Sequence, residues 1–163
     1  LRDYSHPGYE AYGRGIVHEL MPRIDARTRS LREPSRTAVM GSSLGGVASL
    51  YLAWQYPERF GMAACLSSTF GVMDDLFERI SVEPRRDIAV YLDSGWPRDN
   101  FDATNAMRDL LIARGYRLEV DLLQFSFPEG VHHEQSWADR LHLPLQFLFG
   151  NQWLARRSAR QGP

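Results

Sequence analysis

Apolar residues change their spacing near residue 36, and the change divides the chain into two kinds of segment. Before it, Ile16, Val17, Leu20, Met21 and Ile24 recur at the repeat of one helix face, with Pro22 interrupting or kinking the helix. The first 35 residues hold no strand-like run. After it, short continuous apolar runs alternate with helical ones. Strands are predicted at 36–41, 61–67, 87–93 and 118–126, and helices at 43–56, 71–80, 102–114 and 135–149. The first three strands are apolar throughout, as interior parallel strands covered on both faces must be. The fourth alternates, with Glu119 and Asp121 expected to face outward, and is predicted as an edge. Such a βαβ series with right-handed crossovers predicts an α/β fold: a parallel sheet in chain order, flanked by helices.

Strand 36–41 does not fit the opposite edge. Its Thr37-Ala38-Val39-Met40 reads as a buried central strand, so something should pair with it. The expectation is the C-terminal part of a larger sheet with N-terminal strands missing, or a partner chain that supplies them. At 163 residues and 44% apolar content the chain fits one domain by the yardstick of about 100–200 residues each. No linker or repeat divides residues 1–155, and 156–163 read as a frayed basic tail, with phosphate binding by Arg156, Arg157 and Arg160 the weaker alternative.

Composition removes several function classes. Net charge is −1 with both signs interspersed, which predicts no nucleic-acid or acidic-membrane partner. All 19 basic residues are arginine, which excludes Schiff-base lysines, lysine-anchored cofactors and the P-loop lysine. No apolar run approaches the roughly 18 residues of a membrane span, so a soluble chain is expected. The single cysteine, Cys65, lies in Met62-Ala63-Ala64-Cys65-Leu66 and reads as a small core residue.

Chemistry concentrates in Gly41-Ser42-Ser43-Leu44-Gly45-Gly46, between the first predicted strand and the apolar run Val47 to Tyr56. A strand that turns sharply into a helix strains its first turn residue and pushes that side chain out of the sheet. Residues two before and two after must be small to clear the turn. Gly41 and Gly45 meet that need around Ser43, so the hexapeptide reads as a nucleophile elbow. The Leu44 amide, at the positive end of the helix, is the candidate oxyanion donor. The plain alternative is a glycine-rich turn without chemistry.

A serine hydroxyl is a poor nucleophile until a base takes its proton and an acid orients that base. Five histidines are available. His6 sits in a turn, His18 on the first helix and His142 in the last, where surface or packing roles are commoner. His132 and His133 follow the fourth strand in Phe127-Pro128-Glu129-Gly130-Val131-His132-His133-Glu134, at the sheet edge where α/β active sites collect. His132, closer to the glycine turn, is preferred. For the acid, three aspartates follow the third strand: Asp93, Asp99 and Asp102. Asp102 precedes a helix and reads as an N-cap, and Asp93 could bind the amides of its own turn. Asp99 has no evident structural task and is preferred over Asp93. The order Ser43, Asp99, His132 is the α/β-hydrolase order. A zinc site on His132, His133 and Glu134 is a poor rival, because adjacent side chains diverge and no ligand spacing supports it.

The chain resembles the putative-esterase branch of the α/β hydrolases, which includes enterochelin esterase-like enzymes, esterase D and the mycolyltransferase antigens. The resembling segments are Glu19 to Asp25, Gly41 to Gly46 running into Tyr56-Pro57-Glu58-Arg59-Phe60-Gly61, Leu92-Asp93-Ser94-Gly95, and Gly130 to Trp137 with Arg140-Leu141. The resemblance implies Ser43 as nucleophile and His132, five before Trp137, as base. It implies an acid in the loop after Asp93-Ser94-Gly95, variably Asp or Glu, which points to Asp99. It also implies further strands ahead of the first helix, one followed by a loop that donates a second oxyanion N–H. A fragment, a processed chain or half of an assembly is therefore expected.

The expected activity is hydrolysis of a small-molecule carboxylic ester with no metal and no organic cofactor, or acyl transfer to an alcohol within the same class. Trp96, Trp137, Phe70 and Phe101 are candidates to line an aromatic-friendly pocket. The alternative class is a hydrolase-like interaction module that pairs through strand 36–41 with itself or a partner.

Overall fold

The computed structural model describes residues 6–158. Strands β1 (Ala38–Ser42), β2 (Met62–Leu66), β3 (Ala89–Trp96) and β4 (Leu122–Pro128) form one parallel sheet in chain order. Helices α1 (Gly8–Gly15) and α2 (Met21–Asp25) precede it. Helices α3 (Leu44–Gln55), α4 (Leu76–Val82) and α5 (Phe101–Ala113) make the crossovers, and α6 (Glu134–Arg140), α7 (His142–Phe149) and α8 (Asn151–Ser158) follow. Ser42 pairs with Leu66 and Leu66 with Asp93, so β1 and β2 end level, while β3 runs on beside β4 to Trp96. Their following loops open together on one edge of the sheet.

Successive strand residues point to opposite faces, and both faces here are apolar. Ala63, Cys65, Val90 and Leu92 pack toward α1, α3, α4 and α5, whereas Met62, Ala64, Leu66 and Tyr91 pack toward Phe147 and Leu148 of α7. Helix α3 is buried from Gly46 to Trp54 because α1 covers its outer side, with Tyr9 stacked on Tyr51 at 3.9 Å between ring centres. Full burial of a Leu- or Phe-sized side chain stabilises by about 1.5–3 kcal/mol. Leu50, Leu92 and Phe147, all fully buried, anchor the layers in this way.

Several boundaries differ from the sequence expectation for local reasons. The predicted helix 71–80 starts at Leu76, because the Asp74 carboxylate accepts from the amides of Gly71 and Leu76 and closes a turn there. The fourth strand begins at Leu122 rather than 118. Residues 117–121 form a turn whose Arg117 carbonyl accepts from the amides of Val120, Asp121 and Leu122. Neither Glu119 nor Asp121 is therefore a strand residue, and of the two only Glu119 is exposed as expected. Glu119 adopts a positive φ of 61°, and Asp121 is buried, accepting from the Arg117 amide at 2.6 Å and pairing with Arg85 at 2.7 Å. The predicted helix 135–149 is two helices, since Pro144 in the first turn of α7 has no N–H to continue the ladder from α6.

At Pro22 the first helix widens through a π-helical segment, Ile16–Leu20, instead of ending. The basic tail expected from 156 begins inside α8, which reaches Ser158; residues 159–163 lie outside the described residues. At the other end of the sheet, the outer edge of β1 has no strand partner among the described residues, and Met40 is 41% exposed there.

Candidate active site

The turn from β1 into α3 holds Ser43 at φ 56° and ψ −124°, a region that disfavours any side chain. The Ser43 amide donates to the Leu66 carbonyl at 2.9 Å, and its own carbonyl accepts from Gly46 at 3.1 Å. A Cβ on residue 41 would come within 2.5 Å of the Gly45 backbone and one on residue 46 would collide with Ser68 Oγ, whereas one on residue 45 would meet nothing. The small residues the turn needs are therefore Gly41 and Gly46, not Gly41 and Gly45 as the sequence suggests. Leu44 is the first residue of α3, so its N–H is among the four without an intrahelical acceptor.

Two further loops converge on this serine. Gly95, near the end of β3, lies so close to the backbone of Gly130 that a Cβ could not fit between them. The Glu129 amide donates to the Trp96 carbonyl at 3.0 Å, tying the loop after β4 to the end of β3. Asp99 and Asn100 follow with positive φ values of 71° and 63°. That backbone turns the Asp99 carboxylate inward, where its side chain is 1% exposed.

Asp99 Oδ1 lies 2.6 Å from His132 Nδ1, and His132 Nε2 lies 2.9 Å from Ser43 Oγ. With a carboxylate at Nδ1, the hydrogen-bond network assigns the proton to that nitrogen and leaves Nε2 to accept from Ser43. Asp99 Oδ2 accepts from Ser67 Oγ at 2.6 Å and the Gly95 amide at 2.9 Å. The edge of Trp137 packs on the imidazole, with ring centres 5.0 Å apart at 88°. Such an arrangement can deprotonate a hydroxyl and hold a histidine ring in one tautomer.

The remaining candidates are elsewhere. Asp93 does not bind the amides of its own turn through its side chain and does not reach a histidine. It is fully buried, accepting from Arg140 Nε at 3.1 Å and the Tyr91 hydroxyl at 3.0 Å. Burial pushes its carboxyl up, and the Arg140 guanidinium works against that rise. Asp102 is an exposed residue inside the first turn of α5, where its charge favours the helix dipole; Asn100, not Asp102, occupies the N-cap position.

His133 is the N-cap of α6, its Nδ1 accepting from the Gln135 amide at 3.2 Å, and it turns away from His132. His18 packs edge-on to Tyr56, and His6 lies 3.7 Å from Asp75. Among the described residues, no group of three or more His, Cys, Asp or Glu could hold a metal ion. The Cys65 thiol is buried and pushed far up by desolvation, which leaves it inert.

A cavity of about 410 Å³ adjoins the histidine, lined by Trp96, Arg98, Asp99, Glu129, Val131 and His132. Phe101 does not line this cavity but packs at a steep angle against Trp96, and Trp137 lines a separate apolar hollow beside Met40 and Leu141. Phe70 belongs to the core against Phe77, not to a pocket. Ser67, Asn100 and Arg140 are given no role by the sequence reading, although Arg140 stands in a resembling segment, and all contact this cluster. Ser67 ends a strand with no motif around it. Arg140 could have been sought as the residue one helical turn after Ser136, to which its Nη1 donates at 2.9 Å.

The parallel sheet, its flanking helices and the strand-to-helix turn at Ser43 define a fold of the α/β-hydrolase type. The model of the family described as "Putative esterase" matches residues 2–147, and the chain belongs to that family. It is 25% identical to the protein YbbA of Bacillus subtilis strain 168, over 91% of this chain and 62% of that one. It is 32% identical to an iron(III) enterobactin esterase of Dickeya dadantii strain 3937, over 45% of this chain and 18% of that one. The crystal structure of the enterobactin esterase of Shigella flexneri superposes with a TM-score of 0.75 at 22% identity, covering 91% of this chain and 40% of that one. The chain thus spans less than two thirds of the length of each of these three proteins.

Proposed function

We propose that the protein hydrolyses carboxylic esters of small molecules through an acyl-enzyme on Ser43. Ser43 Oγ attacks the ester carbonyl carbon while His132 Nε2 takes its proton. The oxyanion that forms is held by the Leu44 N–H at the start of α3. Collapse breaks the bond to the leaving alcohol, which receives the proton from His132. Water then adds to the acyl-enzyme by the same route, returning its proton through His132 and freeing the acid. Asp99 stays ionised throughout, holds the tautomer and stabilises the imidazolium. An alcohol in place of water would make the same intermediate an acyl donor.

The observation that carries this proposal is the unbroken hydrogen-bond chain from Ser43 through His132 to a buried Asp99, at 2.9 and 2.6 Å. Membership of the esterase family supports it. The test is Ser43→Ala with a chromogenic ester and a fluorophosphonate probe. Loss of both hydrolysis and labelling is expected, and an unchanged hydrolysis rate would refute the proposal.

A second role draws support from β1, whose outer edge offers backbone groups without a strand partner among the described residues. We propose that added strands, from a second copy or another chain, pair there. Sedimentation of the purified chain is expected to show association, and a well-folded monomer at all concentrations would argue against it.

A further inference from the structure

Behind the Asp99 carboxylate lies a polar cluster that the proposed mechanism does not use. Ser67, just past β2, adopts a positive φ of 44° that turns its side chain under Asp99. Its Oγ lies 2.6 Å from Asp99 Oδ2, 2.6 Å from Arg140 Nη2 and 3.0 Å from Trp137 Nε1. A hydroxyl has one proton and two lone pairs, and guanidinium and indole N–H groups can only donate. Both lone pairs of Ser67 are therefore occupied, and its proton has a single acceptor left, the Asp99 carboxylate.

Arg140 is itself fixed. Its Nε donates to Asp93 Oδ1 at 3.1 Å and its Nη1 to Ser136 Oγ. Its Nη2 lies 3.0 Å from Asp93 Oδ1 and 3.7 Å from Asp99 Oδ2 as an ion pair, and its guanidinium lies 5.0 Å from the centre of the Phe127 ring. The Ser67 carbonyl meanwhile accepts from Asn100 Nδ2 at 2.7 Å, which ties its backbone to the residue after Asp99.

We infer that Ser67 is a positioning residue: its hydroxyl, oriented by Arg140 and Trp137, occupies Asp99 Oδ2 and leaves Oδ1 to meet His132. Asp99 Oδ2 then has two donors, Ser67 and the Gly95 amide, and the carboxylate cannot rotate about its last bond without losing both. The geometry stands without any assumption about the reaction, but the kinetic consequence rests on the esterase proposal. Ser67 does not touch Ser43 or His132 in the hydrogen-bond network, so it acts through Asp99.

The test uses Ser67→Ala in the full chain with two readouts. The first is the proton resonance of His132 Nδ1–H in histidine-labelled protein, strongly deshielded by its short bond to Asp99 and identified by its loss in Asp99→Asn. The second is fluorophosphonate labelling of Ser43, resolved into probe binding and the bond-forming rate constant. In Ser67→Ala the resonance is expected to move upfield or broaden, and the bond-forming rate constant to fall about tenfold or more with probe binding unchanged. A folded Ser67→Ala protein with resonance and rate constant both unmoved would overturn the inference.

If Ser67→Ala does not fold, Ser67→Gly decides. Glycine adopts the positive φ of residue 67 without strain and removes the hydroxyl while leaving Arg140 and Asp93 paired, so the same change in the resonance is expected, and an unmoved resonance would again overturn the inference. The two proposals fail separately. Native protein that does not label at Ser43 but whose resonance responds to Ser67→Ala keeps the positioning role and removes support for the esterase. Labelling at Ser43 with an unresponsive resonance does the reverse.

Discussion

Replacing Arg140 by glutamine tests what holds the floor of the candidate site. The Arg140 and Asp93 side chains are 5% and 0% exposed and meet at 3.0 Å, so water neither screens nor replaces their attraction. Removing one member of such a buried pair costs about 3–5 kcal/mol, because the other charge remains without a partner. For a domain of this length, each kcal/mol lowers Tm by roughly 2–4 °C, which gives a fall of about 6–20 °C. Replacing both members with neutral groups is often close to neutral, so Asp93→Asn/Arg140→Gln should recover most of the loss.

The loss also depends on pH, and its sign follows from Asp93. Burial already raises that carboxyl in the native protein, and without Arg140 the rise grows, opposed only by hydrogen bonding from the Tyr91 hydroxyl and the Ser67 backbone. Over the window between the unfolded and folded values, the folded variant then binds more protons than the unfolded chain, so its stability falls as pH rises. The gap to the native protein should be small below about pH 4, where the carboxyl is protonated in both states, and grow to its full size above the window. Urea denaturation of the native protein, the single variant and the double variant, at low and neutral pH, measures all of this. A single variant that loses less than about 1 kcal/mol at neutral pH, or a double variant as unstable as the single, would refute the reasoning.

Two further substitutions separate the competing roles. Asp99→Asn should leave the fold intact and lower ester hydrolysis by about 10⁴-fold through the wrong histidine tautomer, whereas Asp102→Asn should stay within about twofold; steady-state kinetics distinguish them. Gly95→Ala places a methyl group against the Gly130 backbone, so it should lower Tm by several degrees and activity about 10²-fold as the loops separate, which calorimetry and the same kinetics would detect.

The order of the elements was legible because burial on both faces writes continuous apolar runs into β2 and β3, β1 carries such a run although its residues are only partly covered, and a helical repeat marks the segments between them. Their ends were less so. Asp74, Arg117 and Pro144 shifted boundaries by forming or blocking individual hydrogen bonds, and such local competition leaves no periodic trace. Asp121 looked like an outward strand residue because a turn of five residues and an alternating strand can share a polar pattern.

The candidate site divides the same way. Ser43 could be singled out from sequence because the glycine-rich run Gly41 to Gly46 announces a tight turn, although the residue that must be small beside Gly41 is Gly46 rather than Gly45, and His132 because a glycine precedes it after a strand. Choosing among Asp93, Asp99 and Asp102 needed the tertiary structure. Side-chain direction there depends on the positive φ at Asp99 and on the contact of Gly95 with Gly130, 35 residues apart in the chain. The same holds for Ser67 and Arg140, which lie 73 residues apart and meet only because the segment after β2 and the end of α6 come together at one end of the sheet. Sequence alone therefore determined the order of the elements and the glycine-rich turn around Ser43, whose causes lie within a few residues. Tertiary structure decided which side chains share a hydrogen bond, because that depends on the register between strands and the close approach of loops distant in the chain.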